Sequence, residues 1–176
     1  MISENSVIRK VQRGNIKAYK KLYDLHFLKL YRFLSQFSKD HDLVEDWVQN
    51  AFIKAYENIH HFGFRSKFST WLFSIAMNEM RSFYRTDNRR SEYHVEKDAS
   101  ELGDEVIPDF IWQHDMNIYL SELDDEKRAI FILFEVEGYS HKEIADIIGL
   151  PENLCRSKLH RTKKILKQKW LENEKA

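Results

Sequence analysis

SHKEIADIIGLPENLCRSKLHRTKKILKQKW, residues 140–170, is the stretch that decides the fold. Ser140, with Glu143 three residues on, makes a capping box for a short first helix. Ala145 is small where a second helix has to cross closely, and Gly149, four residues later, suits a left-handed turn. Pro151 fits the first turn of a new helix, where its missing N–H would have been unpaired. Along that second helix Cys155, Leu159, Thr162, Leu166 and Trp170 share an inner face. The outward arc carries Asn153, Ser157, His160, Arg161 and Lys164, flanked by Arg156, Lys158, Lys163 and Lys167. This is the layout of a helix-turn-helix, with short polar residues near the N-terminus for base edges and cations behind them for phosphates. An ordinary αα-hairpin with a basic outer face is the alternative; it does not require cap, small residue, turn glycine and cationic face together. Cys155, on the inner face, reads as core rather than nucleophile.

Outward from that motif, the charge is uneven. The 176 residues balance 28 basic against 28 acidic side chains. Yet residues 63–90 hold six Arg/Lys and two acids, residues 91–126 one Lys and twelve acids, and residues 156–169 seven Arg/Lys and no acid. Two basic stretches flanking an acidic one suggest two polyanion-binding surfaces, solvated helix faces being the alternative. Five Gly and two Pro are too few for a turn-rich β-sandwich or barrel. The lone Cys155 excludes a disulfide framework and a multi-Cys zinc site, and fits a reducing cytosol. No apolar run approaches the ~18 residues of a membrane span, and no signal-peptide core opens the chain, so a cytoplasmic location is expected.

Upstream, residues 15–37 are dense in Leu, Tyr and Phe without Gly or Pro, which predicts a buried helix. Asp42 and Glu45 stand at capping-box spacing before a stripe of Val44, Val48, Ala51, Phe52, Ala55 and Ile59. Opposite it lie Asp46, Gln49, Asn50, Ile53 and Glu57, a polar face with an exposed isoleucine that suits protein docking or plain solvent. After HHFGFRSKF, Ser69 is the expected cap of a third helix with the stripe Phe68, Leu72, Ile75, Ala76, Met80 and Phe83. Its other face is expected to expose Thr70, Ser74, Met77, Asn78, Arg81, Tyr84 and Arg85, groups suited to a strand with unstacked bases. Phe64, Arg65, Ser66 and Lys67 precede it, with Phe64, Arg65, Lys67 and Phe68 able to stack and to touch phosphate. From Thr86 the apolar periodicity dissolves into an acidic segment containing Gly103 and Pro108.

The expected fold is therefore all-α: two small helical domains, residues 1–90 and 113–176, joined by a flexible acidic linker, residues 91–112. An enzyme is disfavoured. His60 and His61 are adjacent and diverge on any regular element, and H-E-x-x-H, a Gly-rich phosphate loop and G-x-S-x-G are all missing from the sequence. Neither a metal nor a cofactor is called for. A self-sufficient helix-turn-helix regulator with a sensory N-terminal domain remains as the rival reading.

Two blocks carry a family resemblance. DLVEDWVQNAFIKAYENI (42–59) followed by FRSKFSTWLFSIAMNEMRSFYR (64–85) closely resembles region 2 of the sigma-70 family, nearest its extracytoplasmic-function (ECF) group. LDDEKRAIFILFEVEGYSHKEIADIIGLPENLCRSKLHRTKKIL (123–166) resembles that group's region 4. The D-x-x-Q-x-x-F pattern at Asp46, Gln49 and Phe52, F-S-T-W-L at 68–72 and S-K-L-H-R at 157–161 fall in register. The resemblance implies a dissociable promoter-specificity subunit of bacterial RNA polymerase that needs no cofactor. It places core-polymerase docking at Asp46, Gln49, Asn50 and Ile53. It places −10 DNA contacts and capture of an unstacked base at Phe64, Arg65, Ser66, Lys67, Asn78, Arg81, Tyr84 and Arg85. It places −35 contacts at Asn153, Arg156, Ser157, Lys158, His160, Arg161, Lys163 and Lys164. Core RNA polymerase, promoter DNA and an anti-sigma factor are the implied partners. Asn153-Leu154-Cys155 stands where the family usually has Gly-Thr-Val or similar.

Overall fold

A computed structural model of the protein describes residues 3–91 and 114–173. Among them every regular element is helical. The first unit holds α1 (Glu4–Gln12), α2 (Ile16–Leu34), α3 (His41–Glu57), a 3-10 turn (Ile59–His61) and α4 (Phe68–Ser91). The second holds α5 (His114–Ser121), α6 (Asp125–Glu135), α7 (His141–Ile148) and α8 (Glu152–Asn173). The linker acids Glu92, Glu96, Asp98, Glu101, Asp104 and Glu105 lie outside the described residues.

Side chains start the helices. The Asn15 carboxamide oxygen accepts from Ala18 N–H at 3.0 Å, and Asp40 accepts from Leu43 N–H at 3.1 Å. Asp40, not Asp42, is thus the cap of α3; Asp42 lies in its first turn, where a negative charge meets the positive end of the helix dipole. Likewise α4 begins at Phe68, one residue before the expected cap Ser69, and stays helical through Ser91 although its apolar stripe fades after Thr86. The short α1 was not anticipated. Ser3 caps it, and only Ile8 and Val11 mark its inner face, too few apolar positions for a periodicity signal.

Val44, Val48, Ala51, Phe52, Ala55 and Ile59 are all buried, joined by Trp47. On α4, Phe68, Leu72, Ala76 and Met80 are buried as expected. So are Thr70 and Met77, expected on the outward side, and Phe73 beside them. The cause is tertiary: α7 of the second unit packs along α4. Phe73 meets Tyr139 with ring centroids 5.5 Å apart, and one continuous buried cluster runs through both units. Arg128 ties the seam. It donates to the carbonyls of Leu120 (2.8 Å), Ser121 (2.9 Å) and Leu123 (2.8 Å) in its own unit and of Gln36 (3.0 Å) across it.

Candidate nucleic-acid interface

The helix-turn-helix forms as its sequence asks. Ser140 Oγ accepts from Glu143 N–H at 3.3 Å, while the Glu143 carboxylate accepts from Ser140 N–H at 2.9 Å. Gly149 turns at φ 78°, its N–H donating to Ala145 O at 2.9 Å, and α8 starts directly after Pro151. Cys155, Leu159, Thr162 and Leu166 are buried and Trp170 half-buried, so α8 presents its other side outward. Burial pushes the Cys155 thiol up from its ordinary pKa, which keeps it a protonated core residue. On the outer side Asn153, Arg156, His160, Arg161, Lys164 and Lys167 are exposed, and Ser157 is half-buried. Arg156 is steadied by Glu152 at 2.6 Å.

Two of the expected cations turn aside. Lys158 pairs with Glu126 at 2.6 Å, and Lys163 pairs with Glu135 while lying 5.0 Å from the Phe134 ring centroid. Both therefore also bind α8 to α6, a role invisible in the α8 pattern alone.

In the first unit Asp46, Gln49, Asn50, Ile53 and Glu57 are all exposed along one side of α3, with Ile53 at 54%. A groove of about 290 Å³ runs beside them between α3 and α4, lined by Leu43, Asp46, Trp47, Asn50, Ser82 and Phe83 among others. An exposed isoleucine rimmed by polar groups beside a groove is compatible with protein docking and with a plain solvent face alike.

The loop before α4 and the α4 surface divide into three groups. Arg65, Asn78 and Arg85 are exposed, while Ser66 and Phe64 are half-buried. Phe64 has φ 58°, the only positive value among the described non-glycine residues. Lys67 and Arg81 reach the second unit: Lys67, itself exposed, pairs with Glu143 at 2.9 Å, and the half-buried Arg81 donates to Ile148 O at 2.8 Å. Tyr84 turns inward, donating to Phe37 O at 2.9 Å with its ring against Trp47 and Phe83. Thus the aromatic and cationic groups expected on one open face are gathered on α4 and its loop, but only part of that face is open.

Residues 22–90 match the sigma-70 region 2 family and residues 119–166 the sigma-70 region 4 family. The chain is 30% identical over 161 residues to the ECF RNA polymerase sigma factor SigX of Bacillus subtilis, across 86% of this chain and 83% of that one. It is 28% identical over 184 residues to the ECF RNA polymerase sigma-E factor of Escherichia coli K12, across 96% and 94% respectively. Among solved structures, the sigma factor RpoE of Bartonella quintana, crystallised with the anti-sigma factor NepR, superposes with a TM-score of 0.74 at 26% identity. That likeness covers 88% of this chain and 97% of that one.

Proposed function

The chain belongs to the sigma-70 family, in its extracytoplasmic-function group, and from that premise we propose how its surfaces divide the work of promoter-specific transcription initiation. Core RNA polymerase docks on the α3 face at Asp46, Gln49, Asn50 and Ile53. The loop residues Phe64, Arg65, Ser66 and Lys67, with Asn78, Arg81, Tyr84 and Arg85 of α4, serve the −10 element and capture a base as the duplex opens. α8 enters the major groove at the −35 element with Asn153, Arg156, Ser157, Lys158, His160, Arg161, Lys163 and Lys164. The unit boundaries near residues 90 and 113 separate these tasks.

The observation that carries this reading is α8. Its buried line of Cys155, Leu159, Thr162 and Leu166 leaves exposed polar residues near the N-terminus and exposed cations after them. Polar side chains that reach base edges specify sequence, and cations on phosphates supply affinity that weakens with salt. Catalysis of RNA synthesis then rests with the polymerase and not with this chain. Among the described residues no helix is long and apolar enough to cross a membrane. A cytoplasmic location follows from the partnership with polymerase and DNA. The NepR complex of the Bartonella relative supports an anti-sigma partner here as well.

Reconstituted transcription with core polymerase on genomic fragments tests the proposal. Discrete start sites that appear only with the protein, preceded by shared −10 and −35 sequences, are the expected result. Tight binding of duplex operators as a dimer without polymerase, and no initiation, would favour a self-sufficient helix-turn-helix regulator instead.

A further inference from the structure

Helix α1 precedes the residues matched to region 2 and has no part in the surfaces above. Its side chains nevertheless converge on the loop at 62–68. Gln12 Nε2 donates to two carbonyls, Ile59 O at 2.9 Å and Phe62 O at 3.0 Å. One turn earlier, the Arg9 guanidinium lies 5.0 Å from the Phe64 ring centroid. At the start of α1, Glu4 meets His26 Nε2 at 2.6 Å, and the His26 ring packs 5.3 Å from that of Phe68. Over about 12 Å of helix, at 1.5 Å per residue, α1 reaches the entrance and the apex of the loop directly, and its exit through His26 of α2.

The apex needs holding. A phenylalanine at φ 58° sits in a backbone region that side chains with a Cβ disfavour, and such a conformation persists only where its surroundings fix it. Gln12 anchors the carbonyl two residues upstream of Phe64. Arg9 covers the Phe64 ring from one side, while the Phe62 ring meets it edge-on at 5.1 Å. Ile8 and Val11 are buried and seat α1 on the bundle.

We propose that Gln12 and Arg9 are positioning residues for promoter opening, holding the loop so that Phe64 and Arg65 meet the unstacked −10 base. The inference rests on the −10 reading of the loop. Holoenzymes carrying full-length Gln12→Ala, Phe64→Ala, Arg65→Ala and the double variant Gln12→Ala/Phe64→Ala test it. The readouts are the rate of open-complex formation, base preference at each promoter position, core affinity and melting temperature. Gln12→Ala should slow opening roughly tenfold, the scale expected for two lost neutral hydrogen bonds. It should relax base preference at the captured −10 position while leaving −35 preference and core affinity as in wild type. Because Gln12 acts through the loop that carries Phe64, the double variant should lose less than the two single losses combined. If Gln12→Ala melts early, Arg9→Ala carries the same readouts, since its exposed side chain leaves no cavity. Wild-type opening and preference in Gln12→Ala and Arg9→Ala, or additive losses in the double variant, overturn the brace while the −10 reading stands. Normal opening in Phe64→Ala and Arg65→Ala overturns both.

Discussion

Neighbouring residues on one helix meet opposite fates, and α3 shows what this permits. Trp47 is buried while Asp46 and Gln49, on either side of it, are exposed. Removing an exposed side chain leaves no cavity, so Asp46→Arg or Gln49→Ala should weaken comigration with core polymerase while helicity by circular dichroism stays at the wild-type value. Unchanged comigration would take the docking face elsewhere. Glu143 is the opposite case, a surface acid with several partners. Burial raises its pKa, but the ammonium of Lys67 and the N–H and hydroxyl of Ser140 outweigh that and hold it at about 2. A folded-state value below the ordinary 4.5 means that the stability it contributes is fully present above pH 4.5 and is lost as pH falls towards 2. Urea midpoints measured across that window should fall less steeply for Glu143→Gln than for wild type.

At the scale of elements, legibility in the sequence followed the range of the interactions. The capping box at Ser140, the turn at Gly149 and the inner line of α8 are set within a few residues, and the structure reproduces each. The cap of α3 was misplaced by two residues because Asp40 and Asp42 are chemically equivalent candidates, and only the backbone at Asp40 leaves the helix. Met77 and Thr70 were read as outward because a helix wheel records one packing partner, whereas α4 has a second in α7, some 65 residues away. Likewise Lys158 and Lys163 are cations on α8, but Glu126 and Glu135 of α6 decide where they point. The helix-turn-helix yields its own prediction. Leu159 is 4% exposed, so Leu159→Ala should cost about 2–5 kcal/mol in thermal or urea unfolding. A Cβ at Gly149 would meet nothing within 4 Å, so Gly149→Ala should cost only the left-handed backbone penalty, about 1–2 kcal/mol. A loss at Gly149 larger than that at Leu159 would contradict this ordering. Lys164→Ala should weaken −35 binding evenly across sequences and reduce the salt slope by ~1, whereas Arg156→Ala should shift the sequences selected from a randomised −35 library.

At the scale of the whole molecule, the arrangement in which α7 lies on α4 sits uneasily with two-site promoter reading. The −10 and −35 elements are about 25 base pairs apart, or about 85 Å at 3.4 Å per base pair. Lys67 and Arg81, proposed for the −10 element, are 2.9 and 2.8 Å from α7 and its C-terminal carbonyl. On the site assignment proposed above, the two units would part before both elements are engaged. The 22 residues between Ser91 and His114 allow it, since a chain of that length spans at most about 75–80 Å and the units add their own width. Lys29 offers a way to force the separation without touching a DNA- or polymerase-facing residue. Its ammonium pairs with the mostly buried Glu137 carboxylate at 3.2 Å and lies 4.6 Å from the Tyr139 ring centroid, joining α2 to the loop before α7. Burial raises the Glu137 pKa, and Lys29 is the main opposing influence that favours its charged form. Lys29→Glu sets a like charge against that carboxylate and removes the cation from the tyrosine face. The free protein should then expand in small-angle scattering and associate faster with promoter DNA in the presence of core polymerase. Lys29→Glu/Glu137→Lys restores opposite charges and should return the scattering profile towards that of wild type. Expansion that the double reversal fails to reverse would mean general unfolding, not release of this contact; no expansion in Lys29→Glu would mean that the apolar Phe73–Tyr139 seam holds the units together without it.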